Sequence, residues 1–293
     1  MPTSKNAQTD RPQLVTTIAQ LRQLVGQARI AGKTVGLVPT MGALHEGHLS
    51  LARASAAECD VTIVTIFVNP TQFAPGEDFD KYPRTLEADL DALADCDVDL
   101  VFAPSSEEVY PAGSTTAVEP PHVALRWEGQ CRPGHFRGVT TIVLKLFNMA
   151  MANVAYFGQK DYQQALAIRH MVRDLNVPIR IRVCPIVREP DGLAMSSRNR
   201  YLDDQQRRQA LALSAGLRLA ERGVRQGKDD AAAITAGVRQ LLTDAGIERI
   251  DYVALANPDT LEPVTEAWRS AVALIAAYVG DTRLIDNCLI ERP

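Results

Sequence analysis

The sequence predicts a doubly wound parallel α/β sheet followed by a smaller α+β domain. Apolar, β-branched runs alternate with helix-period segments from residue 13 to residue 187, the order that builds a parallel sheet. Two of those runs, ending at Val38 and Phe157, pass straight into glycine-bearing turns and then helices. Such turns lie outside the carboxyl ends of strands, where open α/β sheets take ligands. After Glu189 the order changes to two long helices and then three strands, an α+β pattern. These observations place one domain over 1–187 and a second over 188–293, with the boundary near Val187 to Glu189.

Taken in order, Met1 to Pro12 is polar, lacks an apolar signal core and is expected to be a disordered lead-in. Gln13 to Ala31 has Leu14, Ile18, Leu21 and Val25 at helical spacing and reads as a first helix. A strand over 35–38, a turn, a helix over 49–58 and a continuous β-branched strand over 61–68 follow. Asn69-Pro70 breaks that strand. Ala74 to Arg84 is polar, holds two prolines and Gly76, and has the length and composition of a mobile lid. Leu86 to Ala94 reads as a helix, 98–103 as a strand and 104–138 as irregular. Helices are expected over 139–151 and 161–175, and strands over 154–157 and 179–187. The second domain reads as helices over 203–226 and 229–245, then strands over 250–256, 271–279 and 282–291.

The totals limit the function classes. The 293 residues carry a net charge of -4 with a pI near 5.8, which gives no electrostatic footprint for nucleic acid. No window of 18 uninterrupted apolar residues signals a membrane span. The five cysteines are scattered, odd in number and never in C-x-x-C spacing. They suggest neither a disulfide framework nor a zinc site, and a reducing cytoplasm suits them.

The richest stretch is Met41-Gly42-Ala43-Leu44-His45-Glu46-Gly47-His48, between strand and helix. His45 and His48, three apart, share one face of the first helical turn. The helix start adds unpaired N–H groups and partial positive charge, so phosphate is the natural guest. His-Glu-x-His lacks the spacing and third ligand of a zinc site, and a purely structural histidine pair is the plain alternative. A second turn, Gly158-Gln159-Lys160-Asp161, offers a mobile cation and an expected N-cap at Asp161; a capped helix with a surface lysine is its plain reading. In the third, Met195-Ser196-Ser197-Arg198, hydroxyls and a guanidinium suit an oxyanion, although a capped approach to the helix from Asp203 would look the same. Gln72 and Gln164 follow strand ends and can read a polar substrate through their amides. Glu87, Asp89 and Asp91 fit a solvated helix face, though near a triphosphate one of them could hold Mg²⁺. Gly32-Lys33-Thr34 is misplaced for a phosphate-binding P-loop, and no G-x-G-x-x-G is present. His122, His135 and His170 default to structural roles.

Together these turns resemble the pantoate–β-alanine ligase family of the HIGH-type nucleotidyltransferases. The resemblance rests on residues 39–48, 67–73, 82–85, 157–164 and 195–199 and spans about 13–291. Gln159 and Ala88 depart from it: relatives carry glutamate at the first position, and some have paired aspartates where Ala88-Asp89 stands. The resemblance implies a Rossmann-like fold of nucleotidyltransferase type. It implies ATP-dependent condensation of (R)-pantoate with β-alanine through a pantoyl adenylate, with AMP and pyrophosphate released. It places ATP on Met41 to His48, Gly158 to Asp161, Val187 and Met195 to Arg198, and pantoate on Gln72 and Gln164, with β-alanine also facing Gln72. His45, His48, Lys160, Ser196, Ser197 and Arg198 are the expected catalytic groups, His48 as proton donor. Mg²⁺, with Asp89 as candidate ligand, and a homodimer are further implications. Competing expectations are a nucleotidyltransferase of the same fold that stops at the adduct, a non-catalytic nucleotide sensor, and an RNA-charging enzyme. The last lacks a basic stripe.

Overall fold

A computed structural model describes residues 11–74, 76–265 and 268–292. All but Arg11 and Pro12 of the expected lead-in lies outside them. Strand β1 (Gln13–Val15) opens the chain and helix α1 (Ile18–Ile30) follows. The helix expected from Gln13 is therefore split. Helical spacing from Leu14 misleads, because Val15 is the buried residue and Leu14 is exposed. Thr17 then starts α1 by accepting the Gln20 N–H on its hydroxyl.

Next come β2 (Val35–Thr40), α2 (Glu46–Glu58), β3 (Val61–Ile66), α3 (Leu86–Leu93) and β4 (Leu100–Phe102). The region expected to be irregular holds two short helices, α4 (Ser106–Val109) and α5 (Glu128–Cys131). Helix α6 (His135–Ala150) starts four residues earlier than its apolar run, directly after Gly134 in a left-handed conformation. Strand β5 (Val154–Gly158), α7 (Tyr162–Asp174) and β6 (Arg180–Cys184) follow. Pro185 has no N–H to continue a ladder, and β6 stops before it.

These six strands form one sheet in the order β1-β4-β3-β2-β5-β6. Strand β1 pairs with β4, β4 with β3, β3 with β2 and β2 with β5, all in parallel. Val35, Leu37, Val38, Ile63, Val64, Val101 and Tyr156 are buried, as strands covered on both faces require. Chain order reverses between the neighbours β2 and β5. This is a topological switch point, and both strands end at the same sheet edge.

Helices α8 (Asp204–Arg225) and α9 (Ala231–Asp244) precede the antiparallel sheet β7 (Ile250–Ala256), β8 (Ser270–Val279) and β9 (Thr282–Glu291). Leu213, Leu217, Val238, Leu242 and Ile275 make its core. Helix α8 approaches α9 closely at Gly216, where a Cβ would sit 2.9 Å from Val238. The chain packs as two compact units. One takes the described residues up to Ala117 with Thr141–Phe157 and Pro178–Arg182. The other takes Val118–Thr140, Gly158–Val177 and the described residues from Val183 on.

Candidate functional site

In the first unit, the chain leaves β2 through a sharp turn. The Thr40 hydroxyl donates to the Thr65 carbonyl at 2.6 Å and accepts the Gly42 N–H at 3.2 Å. Gly42 (φ 83°) and Ala43 (φ 51°) are both left-handed. The first suits glycine; the second carries a steric penalty. The turn ends at His45, the N-cap of α2. Its Nδ1 accepts the Gly47 N–H at 3.1 Å, while the His45 N–H donates to His48 Nδ1 at 3.4 Å. The cap thus takes the Gly47 amide at the start of the helix. With both Nδ1 atoms accepting, a neutral ring carries its proton on Nε2. The ring centroids lie 4.1 Å apart. Glu46 pairs with Arg53, whose hydrogen bond holds the carboxyl below its ordinary range.

Asp89 sits behind this turn. It is 3% exposed, which corrects the solvated-face reading. Its Oδ2 accepts the Ala43 N–H at 3.0 Å and its Oδ1 the Leu44 N–H at 2.8 Å. Spacing could not show that the first turn of α3 faces the histidine turn. Glu87 and Asp91 do lie on the exposed face, paired with Arg11. Among the described residues, no group of three or more His, Cys, Asp or Glu side chains is placed to hold a metal ion.

Gln72 ends a short 3-10 turn over Pro70–Gln72, capped by buried Asn69. Asn69 Nδ2 donates to Gln72 Oε1 at 3.0 Å, and Asn69 Oδ1 accepts from the Tyr110 hydroxyl at 2.9 Å. The Gln72 carbonyl oxygen is thereby tied back to Asn69. Sequence reasoning missed Asn69 as the residue that fixes Gln72; the Asn-Pro pair at a strand end is the signal that could have found it. Beyond it, residues 74 and 76–84 lack regular structure as expected. The Phe73 ring packs on Phe79 at 5.3 Å and on Tyr82 at 6.0 Å.

In the second unit, Gln159–Asp161 forms a 3-10 turn held by buried Asn287. Asn287 Nδ2 donates to the carbonyls of Gln159 at 3.0 Å and Lys160 at 2.8 Å, and Gln159 Nε2 donates to Asn287 Oδ1 at 3.3 Å. Asp161 makes no side-chain cap, contrary to expectation; its carboxylate lies 3.9 Å from Lys160 Nζ. Helix α7 buries Gln163 and leaves Gln164 partly exposed. Gln163 Nε2 donates to the Val123 and Arg126 carbonyls, and its Oε1 accepts the Glu128 N–H.

Val187 and Met195 are brought together, the Met195 N–H donating to the Val187 carbonyl at 3.0 Å. Ser196 Oγ accepts the Arg198 N–H at 3.2 Å and so caps the short 3-10 helix Ser197–Tyr201. Asn199 braces this loop from inside, with Nδ2 donating to Glu189 Oε1 at 2.6 Å and the Ala194 carbonyl at 3.1 Å. The cap of α8 is Asp203, in a capping box with Gln206.

The family model described as pantoate-beta-alanine ligase matches residues 13–289. The chain belongs to the pantoate–β-alanine ligase family. A member of that family, the pantothenate synthetase of Moorella thermoacetica, is 53% identical over 279 residues, covering 95% of this chain and 99% of that one. The crystal structure of the Thermus thermophilus pantothenate synthetase is 42% identical. It superposes with a TM-score of 0.89, covering 94% of this chain and 98% of its own. The pantoate-beta-alanine ligase of Francisella tularensis, solved with β,γ-ATP and β-alanine, is 36% identical. Its TM-score is 0.78, with 95% and 97% of the chains covered. These family structures share the α/β sheet and C-terminal domain described above.

Proposed function

We propose that this chain condenses (R)-pantoate with β-alanine at the expense of ATP. A pantoate carboxylate oxygen attacks the α-phosphorus and expels pyrophosphate. The β-alanine amine then attacks the acyl carbon of the pantoyl adenylate and expels AMP. The observation that carries this reading is the imidazole pair of a ligase-family chain, whose Nδ1 atoms accept the Gly47 and His45 N–H groups and whose rings stand 4.1 Å apart by centroid. A pair of imidazoles held in place this way suits charge growing on a leaving phosphate. His45 and His48 act there, with Lys160, Ser196, Ser197 and Arg198 neutralising phosphate oxygens. Met41 to Leu44, Glu46, Gly47, Gly158, Gln159, Asp161, Val187 and Met195 line the nucleotide. Gln72 and Gln164 hold pantoate, and Gln72 also meets β-alanine.

Mg²⁺ bound with ATP would neutralise charge on the phosphates. A resident-ligand role does not fit Asp89, which is 3% exposed and accepts a turn N–H on each oxygen. Residues 1–187 serve as the ATP- and pantoate-binding domain and 188–293 as the closing domain. The resemblance also implies a homodimer, which sedimentation would test, and five cysteines outside any disulfide suit a reducing cytoplasm. No helix among the described residues is long and apolar enough to cross a membrane.

The test is a two-stage assay. ATP, Mg²⁺ and pantoate alone should support exchange of labelled pyrophosphate into ATP. Adding β-alanine should release stoichiometric AMP and pantothenate. Exchange without β-alanine-dependent AMP would instead indicate a nucleotidyltransferase that stops at the adduct. No exchange would refute the reading.

A further inference from the structure

We infer that Asp89 is a positioning residue that sets the histidine pair through the backbone of the turn before it, and ties that turn to the exit of the 74–84 loop. This rests on the functional reading above. One buried carboxylate accepts three donors: the Ala43 N–H at 3.0 Å on Oδ2, and the Leu44 N–H at 2.8 Å and Thr85 hydroxyl at 3.3 Å on Oδ1. The turn needs such an anchor. Gly42 and Ala43 are consecutive left-handed residues, and a non-glycine residue holds that conformation only when its surroundings over-determine it.

The fit at the anchor is tight. A Cβ on Gly42 would lie 3.0 Å from Asp89 Oδ2, so the carboxylate fills the space that glycine leaves. Two oxygens are required, because adjacent amides are aimed at one side chain. An asparagine would keep one acceptor and turn an NH₂ against the other N–H.

The consequence reaches the rings in two steps. Leu44 leads directly into His45, whose N–H donates to His48 Nδ1 and whose own Nδ1 accepts the Gly47 N–H. A shift at the Leu44 amide therefore moves the bond that fixes the His48 ring. Thr85, the third donor, precedes α3 and follows the 74–84 loop, so the same carboxylate links loop and turn.

The test uses the full chain with Asp89→Asn, measured two ways. Pantoate-dependent ATP–pyrophosphate exchange is titrated against Mg²⁺, and the ring nitrogens of ¹⁵N-histidine-labelled protein are observed by NMR. The expected result is a fall of about 100-fold in exchange kcat, the scale of a misplaced catalytic group. The Mg²⁺ concentration for half-activation should be unchanged, and the acceptor-type Nδ1 signals of His45 and His48 should be altered. Wild-type exchange with wild-type ring signals would overturn the inference. So would a loss that added Mg²⁺ restores while the ring signals stay unchanged, since that marks a metal ligand. If Asp89→Asn does not fold, Thr85→Val removes one donor at constant volume. A several-fold loss with the same ring signature supports the anchor, and unchanged exchange and signals overturn it. If the wild-type chain shows no exchange, the functional reading fails, and the ring signals alone still decide the role of Asp89.

Discussion

His48→Asn should separate the structural job of that histidine from its chemical one. His48 has two ring nitrogens with different jobs in this reading: Nδ1 accepts the His45 N–H at 3.4 Å, and Nε2 of the neutral ring carries the proton. An asparagine amide overlays the Nδ1 side of the ring, so its Oδ1 can keep the acceptor while the Nε2 donor is lost. Removing one preorganised donor to a developing oxyanion costs about 100- to 1000-fold in kcat. The His45 ring stays 4.1 Å away and shares the charge, which places the expected loss near the lower end, about 100-fold. Urea unfolding should move little, because the long bond that is kept contributes only about 1 kcal/mol at most. His48→Gln makes the converse test: its amide reaches the Nε2 side, so more exchange activity should survive. The assay is pantoate-dependent ATP–pyrophosphate exchange at saturating ATP. Full activity in His48→Asn, with His48→Gln the weaker of the two, would refute the assignment of the Nε2 proton to the leaving phosphate.

Other consequences follow from the same geometry. Asn69→Leu removes the bond that holds Gln72 Oε1; the KM for pantoate should rise about 10-fold, a loss of about 1.4 kcal/mol, with the KM for ATP unchanged in steady-state kinetics. Asn287→Leu frees the carbonyls of Gln159 and Lys160, so the KM for ATP should rise in the same assay while that for pantoate holds. Arg283→Met leaves Glu128 buried beside Arg132, 3.5 Å away, without its closer cation; urea titration should show a loss of about 3–5 kcal/mol. Burial alone would raise the Glu128 pKa, but the attraction and hydrogen bonds of Arg283 outweigh it, and the net shift is downward. A lowered folded pKa gives stability that is present above the unfolded value of 4.5 and lost as pH falls through the folded one. Unfolding at descending pH should therefore show an acid limb below about pH 4.5 that is diminished in Glu128→Gln.

Local chemistry carried much of this protein into view. Continuous β-branched runs such as Val61 to Ile66 can only be buried on both faces, so the parallel sheet was legible from strand composition and its alternation with helices. The starts of α8 and α9, expected at Asp203 and Asp229, lie close to the observed ones at Asp204 and Ala231, since a cap acts over three residues. Errors fell where a distant strand or side chain outvotes local spacing. Leu14 fits a helical stripe, yet the ladder offered by Val101 makes it a strand. Asp161 has the residue type of an N-cap, yet Asn287 holds that turn by its carbonyls.

The functional residues divide in the same way. That two histidines and a lysine sit in turns directly after strands was evident from residue order, because order alone decides which groups follow a strand. Tertiary structure decided which atoms of those groups are occupied. The Nδ1 atoms of His45 and His48 accept backbone N–H groups, Asn69 holds the Gln72 carbonyl, and Asp89 serves the backbone because α3 packs against the turn. Hydrogen bonds between residues far apart in sequence, such as Leu44 with Asp89, depend on packing and leave no periodic trace in the chain.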